Sequence, residues 1–115
     1  MNLDHDAMIL IKSNGIGDAE PDLALTLIES FINTLIKQDT VPGMMVFQNS
    51  GIFLSTDGSP ILDQLKALEE AGVWICSCKT CLTYYDRFEK LSVGVAGDMK
   101  CTVQSMMKCK KVITL

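Results

Sequence analysis

The chain has 115 residues, a net charge of −4 and 48% hydrophobic residues, which fits one folded domain with its own core. The acidic balance, with no basic run longer than Lys110-Lys111, argues against nucleic acid or an anionic membrane as a partner. No apolar stretch approaches the roughly 20 residues of a membrane helix. The five cysteines are odd in number and clustered, which suits a reducing cytosol. We therefore expect a soluble, cytoplasmic protein.

The first half of the chain predicts two buried strands separated by a helix. Residues 7–11 are a continuous apolar run, typical of a strand buried on both faces. Pro21 suits the first turn of a helix that ends near Lys37. The apolar stripe of this helix comprises Leu23, Ala24, Leu27, Ile28, Phe31, Ile32 and Leu35. Pro42-Gly43 is expected to interrupt the chain before a second strand at residues 44–47.

The second half continues the alternation of helices and strands. Ser59-Pro60 predicts the start of a helix that ends at Gly72. Residues 73–76 predict a third strand, and a helix follows through about Phe88. The remaining predicted elements are a strand at residues 91–95, a helix capped by Asp98 and a strand at residues 112–115.

Strands that are continuously apolar and alternate with helices indicate a parallel sheet covered on both faces. The predicted fold is therefore a three-layer α/β/α domain with about five mainly parallel strands, flavodoxin-like in outline. Ligands of such sheets bind beyond the carboxyl ends of the strands. Four segments share that edge in this prediction: Asn14-Gly15, Asn49-Ser50-Gly51, the cysteine segment at residues 76–81 and Ala96-Gly97.

Cys76, Cys78 and Cys81 form a C-x-C-x-x-C segment at the predicted junction of the third strand with its helix. A thiol at this position meets backbone N–H groups and the positive end of a helix dipole. Both favour the thiolate, which is the reactive form of cysteine. If the helix begins at Lys79, Cys78 occupies the cap and Cys81 lies one turn further. The alternative interpretation is that these residues are small hydrophobic side chains of the core.

A series of short segments extends through most of the chain. They are Gly17-Asp18, Phe47 to Gly51, Gly58 to Leu62, Leu65-Lys66, Leu68-Glu69, Gly72-Val73, Cys78 to Leu82, Lys90 to Gly94 and Asp98-Met99. Their order and spacing resemble the DsrE/DsrF-like family of small α/β sulfur-handling proteins. The chain is most similar to the DsrE-like C-terminal domain of YedF-type selenium-metabolism proteins. The resemblance implies one DsrE-like domain over residues 1–115, assembly into small oligomers, and sulfur carried as a cysteine persulfide.

On this resemblance Cys78 is the expected sulfur acceptor and Cys81 its partner or resolving thiol, although the two roles could be reversed. The residues expected to line the pocket are Asn14, Gly15, Asn49, Ser50, Lys79 and Thr80. Persulfide transfer needs a thiolate, hydrogen-bond donors and a docking surface, but neither a metal nor an organic cofactor. The expected partners are a sulfur-donor or sulfur-acceptor protein, such as a TusA-like carrier, and further copies of the chain.

Two other functions stay open at this point. The same cysteine pair could serve a thiol–disulfide redox module, or the chain could be a non-enzymatic, oligomeric binding module for a metal or a small ligand. Structural zinc needs four ligands. Cys101 and Cys109 fall singly on the last predicted helix, and His5 lies in an N-terminal segment expected to fray. Cys76 is expected to pack in the core, whereas Cys101 could approach the site from the first turn of its helix.

Overall fold

The structure, a computed structural model, describes all residues from Met1 to Leu115. The strands are β1 (Asn2–Ile11), β2 (Thr40–Phe47), β3 (Trp74–Cys78), β4 (Val95–Gly97) and β5 (Lys111–Thr114). The α-helices are α1 (Pro21–Leu35), α2 (Leu62–Glu70), α3 (Lys79–Tyr84) and α4 (Met99–Lys108). Two 3-10 helices span Asn49–Leu54 and Phe88–Lys90. None of the helices combines the length and apolar character needed to cross a membrane.

The five strands form one parallel sheet in the order β4-β3-β2-β1-β5. From β1 to β4 each crossover steps in one direction, and β5 then returns to the other side of β1. Because such crossovers are right-handed, α1, α2 and α3 lie on one face of the sheet and α4 lies on the other. The predicted α/β/α architecture with a parallel sheet is confirmed.

Side-chain alternation along the strands divides the core into two unequal clusters. The larger cluster joins Ile9, Met45 and Ile75 of the sheet to residues of α1 and α2. The smaller cluster has four buried members, Met8, Leu10, Val46 and Cys76, which pack against Met106 and Cys109. Neighbouring residues of one strand therefore serve opposite faces, as the period of two in a strand requires.

Strands β1 and β2 extend further toward their amino ends than predicted. The segment expected to fray, including His5, belongs to β1, and Asn2 pairs with Thr40. Pro42 lies within β2 rather than before it, opposite Asp4. The pairing register shifts between Asp4 and Met8, so β1 bulges where the proline offers no N–H. The bulge explains how the strand continues through a residue that was expected to interrupt it.

Part of the predicted apolar stripe of α1 lies outside the core. Ala24, Ile28 and Ile32 are buried and Phe31 and Leu35 pack against the core, whereas Leu23 and Leu27 are exposed. The stripe therefore extends beyond the contact with the core in the amino-terminal half of the helix. The prediction of the helix was correct, but the prediction of its buried face was too wide.

The elements around the cysteines differ in length from the prediction. β3 extends two residues beyond Cys76, and α3 ends at Tyr84 rather than near Phe88. Asp86 has a left-handed backbone (φ 56°), and the N–H of Arg87 donates to the carbonyl oxygen of Leu82 at 2.7 Å. This geometry closes the last turn of the helix.

The fourth strand lies later in the chain than predicted. Residues 91–95 do not form it, because Leu91 makes an isolated antiparallel bridge with Thr56 and Gly94 turns the chain with φ 74°. β4 then starts at Val95. Asp98 caps α4 as predicted, its carboxylate accepting a hydrogen bond from the N–H of Cys101 at 3.0 Å.

We expect Gly94→Ala to destabilise the fold more strongly than Gly58→Ala. Both glycines have left-handed backbones, but a Cβ at Gly58 meets no atom within 4 Å, whereas one at Gly94 would overlap the carbonyl oxygen of Ile75. Backbone strain alone costs about 1–2 kcal/mol, so Gly58→Ala should lose about that much in urea unfolding. Gly94→Ala should lose about 3 kcal/mol or more. Equal losses would contradict the packing described for Gly94.

Candidate functional site

Cys78 and Cys81 lie at the carboxyl edge of the sheet. Cys78 is the last residue of β3 and the cap of α3, and Cys81 lies in the first turn of that helix. Both side chains are half-buried. Since α3 has only six residues, its dipole contributes less to thiolate stability than a long helix would. The electrostatics of the site therefore depend on specific neighbours.

One such neighbour is the backbone of Asn49, whose N–H donates to the Sγ of Cys81 at 3.0 Å. Asn49 has a left-handed backbone (φ 51°), a conformation that asparagine tolerates better than most residues. The adjacent Ser50 accepts a hydrogen bond from the N–H of Asn14 at 3.3 Å. The turns that follow β1 and β2 thus meet, and the second of them places an amide donor against the thiol of α3.

Cys81 has a raised pKa. The largest cause is desolvation, followed by hydrogen bonding with Cys78 and then repulsion by its charge, whereas the amide of Asn49 acts in the opposite direction. Cys81 therefore stays a neutral thiol at neutral pH. The neighbouring Cys78 contributes to the raised pKa of Cys81 through both hydrogen bonding and charge.

Beneath the pair, a hydroxyl contact ties β3 to the segment after β2. The Oγ atoms of Ser55 and Ser77 lie 2.6 Å apart and are fully buried, and the Ser55 hydroxyl also donates to the carbonyl of Ile52. Buried hydroxyls need such partners. Ser77 was not singled out from the sequence, although its position between Cys76 and Cys78 places it on the opposite face of the strand.

The residues expected to line the pocket do not share one cavity. Lys79 and Thr80, with Thr83 and Tyr84, line an open cavity of about 440 Å³. Asn14 belongs to a separate cavity of about 240 Å³ that also includes Phe53 and Arg87.

Gly15 has a packing role. A Cβ at Gly15 would lie 2.6 Å from the Cβ of Ala24, so the glycine allows the turn after β1 to approach α1. The N–H of Ile16 donates to the carbonyl of Ala24 at the same contact.

An aromatic cluster beside α3 was also absent from the sequence-based site. The rings of Tyr84 and Tyr85 are 5.1 Å apart, and those of Tyr85 and Phe53 are 4.9 Å apart, both edge-to-face. The guanidinium of Arg87 lies 4.8 Å from the centre of the Phe53 ring. The adjacent Tyr84 and Tyr85 are recognisable in the sequence, but only the folded structure brings Phe53 and Arg87 next to them.

Cys76 faces α4, on the other side of the sheet from Cys81. Its side chain is 2% exposed, and its pKa is raised to about 11. Desolvation is the largest cause, followed by repulsion from Cys101, Cys78 and Asp98.

Nowhere in the structure do three or more His, Cys, Asp or Glu side chains converge in an arrangement that could hold a metal ion.

Two solved structures are similar to this chain over almost its whole length. One is the ychN protein from E. coli, with a TM-score of 0.63 and 18% identity over 95% of this chain and 98% of that one. The other is MTH1491, a protein of unknown function from Methanobacterium thermoautotrophicum, with a TM-score of 0.68 and 17% identity over 97% of this chain and 100% of that one. No family model and no curated protein sequence matches the chain. At these identities the likeness shows the DsrE-like fold alone.

We expect the alkylation of Cys81 by iodoacetamide to reach its half-maximal rate at lower pH in Cys78→Ala than in the unsubstituted protein. The substitution removes a hydrogen bond and a charge that both raise the pKa of Cys81, so the Cys81 thiolate forms at lower pH. Peptide mass spectrometry at low conversion measures the rate at each pH. Cys109→Ala is the matched control, because Cys109 lies at the far end of α4, and it should leave the midpoint unchanged. An unchanged midpoint in Cys78→Ala would contradict the coupling of the two thiols.

Proposed function

We propose that this protein is a sulfur carrier or sulfurtransferase-like protein that holds sulfur as a persulfide on Cys78. The observation that supports this best is the coupled pair of Cys78 and Cys81 at the carboxyl edge of the sheet, with the amide of Asn49 donating to Cys81. We place the chain in the DsrE/DsrF-like family, near the DsrE-like domain of YedF-type proteins. In that assignment selenium is a second candidate cargo, and the reducing cytoplasm keeps the thiols free.

The proposed transfer is an exchange between thiols. The thiolate of Cys78 attacks the outer sulfur of a persulfide on a donor protein, and the donor's S–S bond breaks. The donor leaves as a thiolate, and Cys78 carries the persulfide. A second thiolate, on the acceptor, then removes the outer sulfur by the same step in reverse. This exchange of sulfur between thiols requires no oxidant, metal or organic cofactor.

The two cysteines have different proposed roles because their surroundings differ. Cys81 remains protonated at neutral pH and can donate its S–H to the sulfur held on Cys78. The amide of Asn49 fixes Cys81 from the other side. Cys78 is therefore the nucleophile in this proposal, and Cys81 positions and stabilises the carried sulfur.

The open cavity beside Cys78 is the proposed docking surface for the donor or acceptor protein. Its lining includes Lys79, the residue after Cys78, and the exposed side chain of Tyr84. The Lys79 ammonium would attract an anionic persulfide. A TusA-like carrier is one candidate partner, whereas the acidic chain offers no surface suited to nucleic acid or an anionic membrane.

We also propose that the chain forms a homo-oligomer through the sheet face under α4. Adjacent strands are about 4.8 Å apart, so the five strands are about twice as wide as one helix. α4 therefore leaves apolar side chains of the sheet uncovered, including Trp74 at 52% exposure. Static light scattering should give a mass above 12.6 kDa per particle. A monomer at every concentration would contradict this proposal.

A thiol–disulfide redox role is the second candidate, because the same contact between Cys78 and Cys81 favours it. In that case the pair would form a disulfide and pass its oxidising equivalents to a substrate dithiol. Persulfide loading and disulfide formation leave different masses on the protein, so one experiment separates the two functions.

We expect the reduced protein to gain the mass of one sulfur atom when it is incubated with a low-molecular-weight persulfide. Peptide mass spectrometry should place the adduct on Cys78, since Cys78 is the proposed nucleophile. Cys78→Ser should lose the adduct. Cys81→Ala should still accept sulfur but lose it several-fold faster to a competing thiol, because the S–H donor is gone.

Cys109→Ser is the matched control for this experiment and should load like the unsubstituted protein, since Cys109 is remote from the sheet edge. A protein that gains no sulfur, or that only closes the Cys78–Cys81 disulfide, would exclude the carrier function and leave the redox function as the better candidate.

A further inference from the structure

A second pair of cysteines, Cys76 and Cys101, lies on the α4 side of the sheet, whereas Cys81 packs against the larger cluster on the other side. Cys76 points from β3 toward α4 and belongs to the smaller buried cluster. Cys101 lies in the first turn of α4 and is half-buried. The Sγ of Cys76 lies against Gly97, and Cys101 follows four residues later in the first turn of α4. Cys101 also contributes to the raised pKa of Cys76.

Three features of the backbone hold these residues together. Cys76 pairs with Val95 and Cys78 with Gly97, so β3 and β4 end side by side. A Cβ at Gly97 would overlap the Sγ of Cys76, which shows that the thiol occupies the space left by the missing side chain. The carboxylate of Asp98 then fixes the N–H of Cys101 and starts the helix over that thiol.

We propose that Cys76 and Cys101 form an oxidation site, in which a hydroperoxide oxidises Cys101 and Cys76 then closes an intramolecular disulfide. This site goes beyond the proposed sulfur-carrier function and does not depend on it. The unequal exposure of the two thiols sets the order of the steps, because only Cys101 is open to a solute.

The two steps balance without any further reactant. The sulfur of Cys101 attacks one oxygen of the peroxide, the O–O bond breaks, and a sulfenic acid and one water (or alcohol) result. The thiol of Cys76 then attacks the sulfenic sulfur, the S–O bond breaks, and the disulfide forms with release of a second water. Two thiols are oxidised and one peroxide is reduced. A cellular dithiol can afterwards reduce the disulfide to the two thiols.

The environment of Cys76 disfavours the first step, and its position beside the start of α4 supports the second. Desolvation and the neighbouring side chains of Cys101, Cys78 and Asp98 raise its pKa to about 11, so it stays a thiol at neutral pH. A buried thiol of this kind reacts slowly with a dissolved oxidant. It nevertheless lies beside Cys101, where an oxidised sulfur would appear within its reach.

The test uses the full chain with Cys78→Ser and Cys81→Ser, so that its result is independent of the sulfur-carrier proposal. After treatment with hydrogen peroxide, non-reducing peptide mapping should find Cys76 joined to Cys101 within one chain. Dithiothreitol should reverse the link. The oxidised protein should melt about 5 °C or more above the reduced protein, because the disulfide restricts the unfolded chain. Adding Cys109→Ala should leave all three results unchanged.

Two further variants test the order of the steps with dimedone, which labels sulfenic acids. Cys76→Ala should accumulate label on Cys101, because the resolving thiol is missing. Cys101→Ala replaces a half-buried residue and should leave Cys76 unlabelled and reduced. A label on Cys76 in Cys101→Ala, a disulfide between two chains, or irreversible oxidation of Cys101 with Cys76 still reduced would overturn the proposal.

Discussion

The parallel pairing of β3 with a neighbour on each side is the constraint on which the site depends. Phe47 of β2 pairs with Ser77, and Gly97 of β4 pairs with Cys78, so three strands end at one level. The turn after β2 is thereby placed over the first turn of α3, where the amide of Asn49 meets Cys81. Within β3 itself, alternation separates Ser77, which faces the larger core, from Cys76, which faces α4.

The distribution of helices across the two faces has a second consequence. α1 and α2 cover one face and bury the larger cluster, whereas the other face carries only α4 and a buried cluster of four residues. A single helix cannot cover five strands, so Trp74, Val95 and Val112 stay exposed on this face. The apolar surface and the under-covered sheet are thus one feature, produced by the single crossover from β4 to β5.

The sequence was sufficient to predict the architecture, because the architecture depends on patterns that extend over many residues. Alternating apolar runs and helical stripes predicted the parallel α/β/α fold, and Asp98 predicted the start of α4. The predicted ends of strands and helices were wrong where the folded structure overrides the local preference of a residue. Pro42 continues β2 because β1 bulges opposite it, and α3 ends early because Asp86 adopts a left-handed backbone. Of the predicted pocket residues, Lys79 and Thr80 line one cavity and Asn14 lines another, since a shared sheet edge does not specify the directions of side chains.

The position of each thiol relative to the sheet determines what chemistry it can serve. Cys81 packs against the larger core and Cys76 belongs to the smaller one, so the sheet lies between these two protonated thiols. Each has a half-buried partner at a helix start, Cys78 for α3 and Cys101 for α4. A thiol that stays neutral is a poor first reactant, because the thiolate is the nucleophile. It can still donate its S–H to a neighbouring sulfur, or react with an oxidised partner that the fold holds beside it. One strand, β3, therefore contributes one thiol to each of the two pairs.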